Sequence, residues 1–200
     1  MNNNFLLDYP VNTTLKMHEC GQNEYWFYHK GSYPNDNPLL YQELISKAKE
    51  EIIIWDPYFN IGNQIGNEEI FINVKFNTTI KVLTMKGLEH NDIYLTNFQN
   101  ALRNIIPKNK DVRFGLRVIN RGDSHNQGDC FFHDRFLIID DNDVYLIGSS
   151  IEYHLKPQMS TGIFKVNNDD TKNFIKSIFE YYWNNFKNHE IPLTYLYPDP

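Results

Sequence analysis

The stretch CFFHDRFLIIDDNDVYLIGSS, Cys130 to Ser150, decides how the rest of the chain is read. Two apolar runs, 131–139 and 144–148, flank the turn-forming residues Asp140, Asp141, Asn142 and Asp143, which is the pattern of a β-hairpin. The first run carries His133, Asp134 and Arg135 in succession. Side chains of a strand alternate between faces, so His133 and Arg135 are expected on one side, with Asp134 and Phe136 on the other. An imidazole and a guanidinium then stand together. The guanidinium keeps its charge at any working pH and its fork matches phosphate oxygens, while a neutral imidazole serves as nucleophile, base or acid. The returning strand ends in Gly148, Ser149 and Ser150, small residues whose hydroxyls and amides reach the same place and add donors for an anion. The set suits a phosphodiester.

Outward from the hairpin, periodicity places the other elements. EYWFYHK at 24–30 alternates as a strand, and the turn residues of GSYPNDNP end it. Asn37 and Pro38 open a helix in which Leu40, Leu44 and Ala48 recur at helical spacing, and this helix is expected to run to about Glu51. A buried strand over Ile52–Trp55 follows, closed by Asp56 and Pro57. NEEIFINVKF, 67–76, fits both periods and is read as helix, while TIKVLT at 79–84 is strand. Asn91 and Asp92 cap a helix that Pro107 ends, and Val112, Phe114, Leu116 and Val118 alternate as a half-buried strand. TGIFKV at 161–166 is a further strand. A last amphipathic helix carries Phe174, Ile178, Tyr182 and Phe186 on one face, with Ile175, Phe179 and Trp183 beside them. Strands and helices alternating before a hairpin imply an α/β protein, a mixed sheet with helices on its faces. An irregular N-terminal arm is expected over 1–23 and a single domain over 24–200.

The composition agrees with one folded unit. Of 200 residues, 41% are hydrophobic and 15% aromatic against 22% charged, which excludes a disordered chain. A net charge of −6 excludes a global basic field for non-specific nucleic-acid binding, so any phosphate site must be locally basic. The two cysteines, Cys20 and Cys130, are too few and too unpatterned for a disulfide framework, which points to a reducing compartment, the cytoplasm. No apolar run approaches the length of a membrane span, and no membrane partner is expected.

The quoted stretch resembles the signature of the phospholipase D superfamily: His-x-Lys, four residues, Asp, then Gly-Ser and usually Asn. His133, Arg135, Asp140, Gly148 and Ser149 match it in order. The upstream ISKAKEEIIIWDPYF, 45–59, also resembles the superfamily's first helix and strand, so the likeness covers roughly residues 38–187. Arg135 stands in place of the usual Lys, and Ile151 in place of Asn. The turn between Asp140 and Gly148 is one residue longer than the common spacing. Glu152, Ser160 and Thr161 do not supply an evident acid to orient the histidine.

The resemblance implies a metal-independent phosphodiesterase, more a nuclease than a lipase, acting without a cofactor. One histidine forms a phosphohistidine while a second protonates the leaving oxygen and then activates water. With one motif per chain, it further implies a homodimer in which His133 of each copy faces a shared pocket. His133, Arg135 and Ser149 are then the catalytic candidates, with Gly148, Ser150 and Asp140 supporting them. Asp140 is equally a turn former, and that structural role is the one expected of it. Asp56 and Tyr58 follow a strand and are candidates for the pocket rim. His125, in the loop RGDSHNQGD, is a candidate second histidine, against the commoner case of a solvent-exposed loop histidine. His125, Cys130 and His133 lack a fourth ligand or a paired Cys-x-x-Cys, so no metal is expected. The alternative is a weak or inactive module of the same fold that binds phosphate, nucleic acid or a companion protein, for example in a bacterial defence or restriction system. The substitutions at Arg135 and Ile151 motivate it.

Overall fold

The structure, a computed structural model, describes residues 15–20, 23–28, 37–59, 67–85, 92–107, 110–119, 132–151, 161–185 and 190–195. Among these residues nine strands form one mixed sheet. They are β1 (Leu15–Cys20), β2 (Asn23–Tyr28), β3 (Glu51–Trp55), β4 (Thr79–Thr84), β5 (Arg113–Val118), β6 (Phe136–Ile139), β7 (Asp143–Ile147), β8 (Thr161–Val166) and β9 (Glu190–Tyr195). Among the described residues three α-helices accompany them: α1 (Asn37–Ile45), α2 (Asp92–Ile105) and α3 (Asp169–Asn185). The spatial order is β1-β2-β8-β7-β6-β3-β4-β5-β9. β3, β4 and β5 are parallel, and every other pairing is antiparallel. The expected mixed sheet with flanking helices is therefore the architecture found.

The strand period of two divides the core. Ile52, Ile54, Leu137, Ile139, Tyr145 and Ile147 face one side, where Leu44, Phe98 and Leu102 of α1 and α2 cover them. Ile53, Trp55, Phe136, Ile138 and Val144 face the other side and meet Ile175, Phe179 and Trp183 of α3. Phe174, expected on the buried face of this helix, is instead 64% exposed: the buried stripe is the neighbouring one at i, i+4 and i+8. Phe186 lies outside the described residues. β5, expected half-buried, is buried from Phe114 to Val118, because the sheet is covered on both faces there.

Several boundaries differ from the periodic reading. The first helix stops at Ile45 rather than near Glu51. Its carbonyls end in a tight turn, with the Lys47 amide on Leu44 and the Ala48 amide on Ile45. Only Asn67–Phe71 of the expected second helix is helical, and it is a 3-10 segment. Leu15–Cys20, expected within an irregular arm, is an edge strand paired antiparallel to β2. β9, for which the pattern offered no strand, completes the opposite edge against β5. Among the described residues no helix is long and apolar enough to cross a membrane.

Candidate active site

Three strands deliver the candidate residues to one end of the sheet. β3 ends at Trp55 and presents Asp56; β6 starts at Phe136 and is entered through His133, Asp134 and Arg135; β7 ends at Ile147 and leads into Gly148, Ser149 and Ser150. β6 is antiparallel to both β3 and β7, so its beginning lies beside their ends. The β6–β7 ladder continues one step further, with the Ile147 amide donating to the Arg135 carbonyl at 2.8 Å.

The hydrogen-bonded strand begins at Phe136, not at Phe131 as the apolar run implied; of the lead-in, the Arg135 carbonyl joins β7 through the Ile147 amide. The two-residue period nevertheless carries on. Phe132 and Phe136 both belong to the cluster under α3, and both touch Trp55, at ring separations of 5.3 and 5.2 Å. Phe132 also packs on Tyr182 of α3 at 5.7 Å. These aromatic contacts clamp the segment on either side of the polar residues. His133 and Asp134 are exposed between them, and Arg135 is half-buried.

Asp56, expected at the rim, is fully buried, and its carboxylate joins the three strand ends. Oδ2 accepts from the Ser150 hydroxyl at 2.8 Å and from the Ile151 amide at 2.9 Å. Oδ1 accepts from the Tyr58 amide at 2.9 Å and lies 3.7 Å from Arg135 Nε. The turn that carries it is itself tied down, with the Asp56 amide on Leu83 and the Met85 amide on Pro57. Burial pushes the Asp56 carboxyl above its ordinary value near 3.8, against the lowering exerted by the Ile151 and Tyr58 amides, the Ser150 hydroxyl and the Arg135 charge. Among the described residues the groups on the carboxyl are the Ser150 hydroxyl, the Ile151 and Tyr58 amides and the Arg135 charge.

The Gly148–Ser150 turn was expected to aim several donors at an anion. Two of the three are committed inside the protein: the Gly148 amide donates to Gly162 at 2.8 Å and the Ser150 hydroxyl to Asp56. Ser149 is different. Its hydroxyl is buried and has no hydrogen-bond partner among the described residues. Arg135 donates from Nη1 to the His133 carbonyl at 3.0 Å, and its guanidinium lies 5.4 Å from the centre of the Tyr58 ring, which is half-buried. Ile151, in the place of the usual Asn, sinks its side chain into the core under α1 and α2.

Asp140 stands at the far end of β6. Its carboxylate accepts from the Lys49, Glu50 and Glu51 amides at 2.9–3.1 Å, and its own amide donates to the Glu51 carbonyl. Partial desolvation pushes the carboxyl up, but the amides of Glu51, Glu50 and Lys49 outweigh it and leave the group below its ordinary value near 3.8. Asp140 thus pins the α1–β3 connection to the hairpin, one strand length away from His133. His125 and Cys130 lie outside the described residues, as do Glu152 and Ser160. Among the described residues no three His, Cys, Asp or Glu side chains gather as a metal site. The residue that the sequence reading undervalued is Asp56; its one local signal is an acid directly after a buried strand.

No family model matches the sequence, and no curated protein does. Solved structures do. A phospholipase D family member, Nuc from Salmonella typhimurium, aligns at 13% identity with a TM-score of 0.51, over 84% of this chain and 97% of its own. NucT from Helicobacter pylori aligns at 15% identity with a TM-score of 0.50, over 80% of this chain and 95% of its own. The archaeal chromatin protein TrmBL2 aligns at 15% identity with a TM-score of 0.42, and this chain spans 55% of its length. The fold is phospholipase D-like.

Proposed function

We propose that the protein is a metal-independent phosphodiesterase, of nuclease type, that works through a phosphohistidine in a homodimeric site. The observation that carries this reading is an exposed histidine whose backbone carbonyl accepts from the Arg135 guanidinium, with a buried serine hydroxyl that has no partner among the described residues, all at one end of the sheet. The likeness in fold to Nuc and NucT supports the substrate class.

In this mechanism an imidazole nitrogen of His133 attacks phosphorus, and the P–O bond to the leaving group breaks. A second histidine gives its proton to the leaving oxygen. That same histidine then takes a proton from water as the water attacks phosphorus, the P–N bond breaks, and His133 is released with a phosphate monoester as product. Arg135 and Ser149 stabilise the charge on the transferring group. His133 is the one histidine whose side chain is among those described, and the reading takes the second from another copy of the chain across a two-fold axis. Asp140 and Gly148 hold the frame, and Tyr58 flanks the guanidinium.

The test is hydrolysis of single- and double-stranded DNA, RNA and bis(p-nitrophenyl) phosphate in EDTA by wild type and His133→Ala. Ultracentrifugation alongside is expected to show a dimer, and wild type denatured in alkali, where the P–N bond survives, a phosphohistidine adduct. Equal inactivity of the two proteins on every substrate would sink the catalytic reading. A second reading, a module of this fold that binds phosphate or a companion protein without turnover, is favoured by Ile151, whose buried side chain supplies no donor to the site. Under it, His133→Ala binds ligand as wild type does and no adduct is trapped.

A further inference from the structure

Arg135 is held before any ligand arrives. Its Nε faces Asp56 Oδ1 at 3.7 Å, its Nη1 donates to the His133 carbonyl at 3.0 Å, and the Tyr58 ring flanks the plane. A guanidinium carries five N–H donors in a rigid fork. Nε is buried and pairs with the carboxylate by charge at 3.7 Å without a hydrogen bond, one Nη1 donor is bonded to the His133 carbonyl, and neither Nε nor Nη2 has a hydrogen-bond partner among the described residues. One edge of the fork is anchored and another is open.

The same carboxylate also holds the turn carrying Ser149, since Asp56 Oδ2 accepts from both Ser150 and Ile151. With the neighbouring hydroxyl and amide fixed, the Ser149 side chain is left as the one uncommitted hydroxyl of the turn. A lysine at position 135 cannot do what the arginine does. Its ammonium is a single point charge, and a fully buried carboxylate beside it would claim that charge. The planar fork can serve the carboxylate with Nε and still offer Nη donors to an anion.

We propose that Asp56 is a positioning residue for phosphoryl recognition: one buried carboxylate orients both the Arg135 fork and the Ser149 hydroxyl, and its presence is why position 135 carries arginine. This rests on the reading of the site as one for phosphate esters. It adds a residue whose partners come from β3, β6 and β7 and whose effect on the substrate is exerted wholly through others.

The experiment is a double-mutant cycle on the full chain, with wild type, R135K, D56N and D56N/R135K. Inorganic phosphate binding is measured by calorimetry, kcat and KM on bis(p-nitrophenyl) phosphate, and folding by circular dichroism. R135K is expected to weaken phosphate binding by about tenfold or more, since the buried carboxylate takes the ammonium and the anion loses its charged contact. In the D56N background the same change is expected to cost much less, because no carboxylate captures the lysine; KM is expected to follow phosphate affinity in each case. Additive effects in the cycle, or wild-type phosphate affinity in R135K, overturn the proposal. If D56N does not fold, R135K alone decides in the same two directions. Phosphate binding that depends on Arg135 and Asp56 without any turnover overturns the hydrolytic reading only. Turnover that is indifferent to R135K overturns the positioning role only.

Discussion

Replacing Asp140 separates a frame residue from a site residue. Its carboxylate accepts three backbone amides, two of them in exposed positions that water can satisfy once the carboxylate is gone and one, Glu51, part-buried. Loss of the set resembles loss of a helix cap and is expected to cost about 1–2 kcal/mol. Asp140 also has φ 50°, in the left-handed region that aspartate tolerates and alanine does not, which adds about 1 kcal/mol for Asp140→Ala. The sum is about 2–3 kcal/mol, or a Tm roughly 5–10 °C lower for a domain of this size. Glycine at the same position loses the amides but not the backbone fit, so Asp140→Gly is expected to melt above Asp140→Ala. The depressed carboxyl also fixes a sign with pH. Its contribution is fully present above about 3.8 and is lost as pH falls through the lower folded value, so the gap between wild type and Asp140→Asn narrows on acidification. The assays are thermal and urea melts of the four proteins, with phosphodiester turnover and phosphate binding measured at a temperature where all are folded. The rise of β6 and its lead-in, at about 3.3 Å per residue, puts up to roughly 23 Å between Asp140 and His133, so neither readout is expected to change. A variant with unchanged Tm and lost turnover or binding would refute the argument and return Asp140 to the site.

Ser149→Ala removes a buried hydroxyl that has no partner in the described structure, so Tm is expected to rise by roughly 2–4 °C, about 1 kcal/mol, while phosphate affinity falls; a lower Tm contradicts this account. Asp56 gives the opposite pH sign to Asp140. With its carboxyl raised by burial, the folded state holds the proton longer than the unfolded chain. Wild-type stability measured against Asp56→Asn is therefore greatest below about 3.8 and declines as pH rises through the raised folded value. Urea melts across pH 3–8 (a range of about five units around that window) read this directly, and an advantage that grows with pH refutes it. His133 is exposed, so His133→Ala is expected to shift Tm in a thermal melt by less than about 2 °C, the equivalent of about 0.5 kcal/mol.

The features legible in residue order alone are local and periodic. The hairpin of β6 and β7, the start of α1 at Asn37 and Pro38, the existence of strands β3 and β4 and the alternation that turns Arg135 away from Phe136 all follow from side-chain period and turn chemistry within a few residues. These are short-range preferences, and no distant partner is needed to read them. The edge strands β1 and β9 were decided by their neighbours β2 and β5; a strand with a proline such as Pro192 carries little pattern of its own. Likewise the two aspartates look alike in sequence, each beside an apolar strand. Asp140 finds its amides 89–91 residues upstream, and Asp56 finds its serine 94 residues downstream. A buried carboxylate takes its role from the donors that the packed chain brings to it, and those arrive only when the strand ends are assembled side by side.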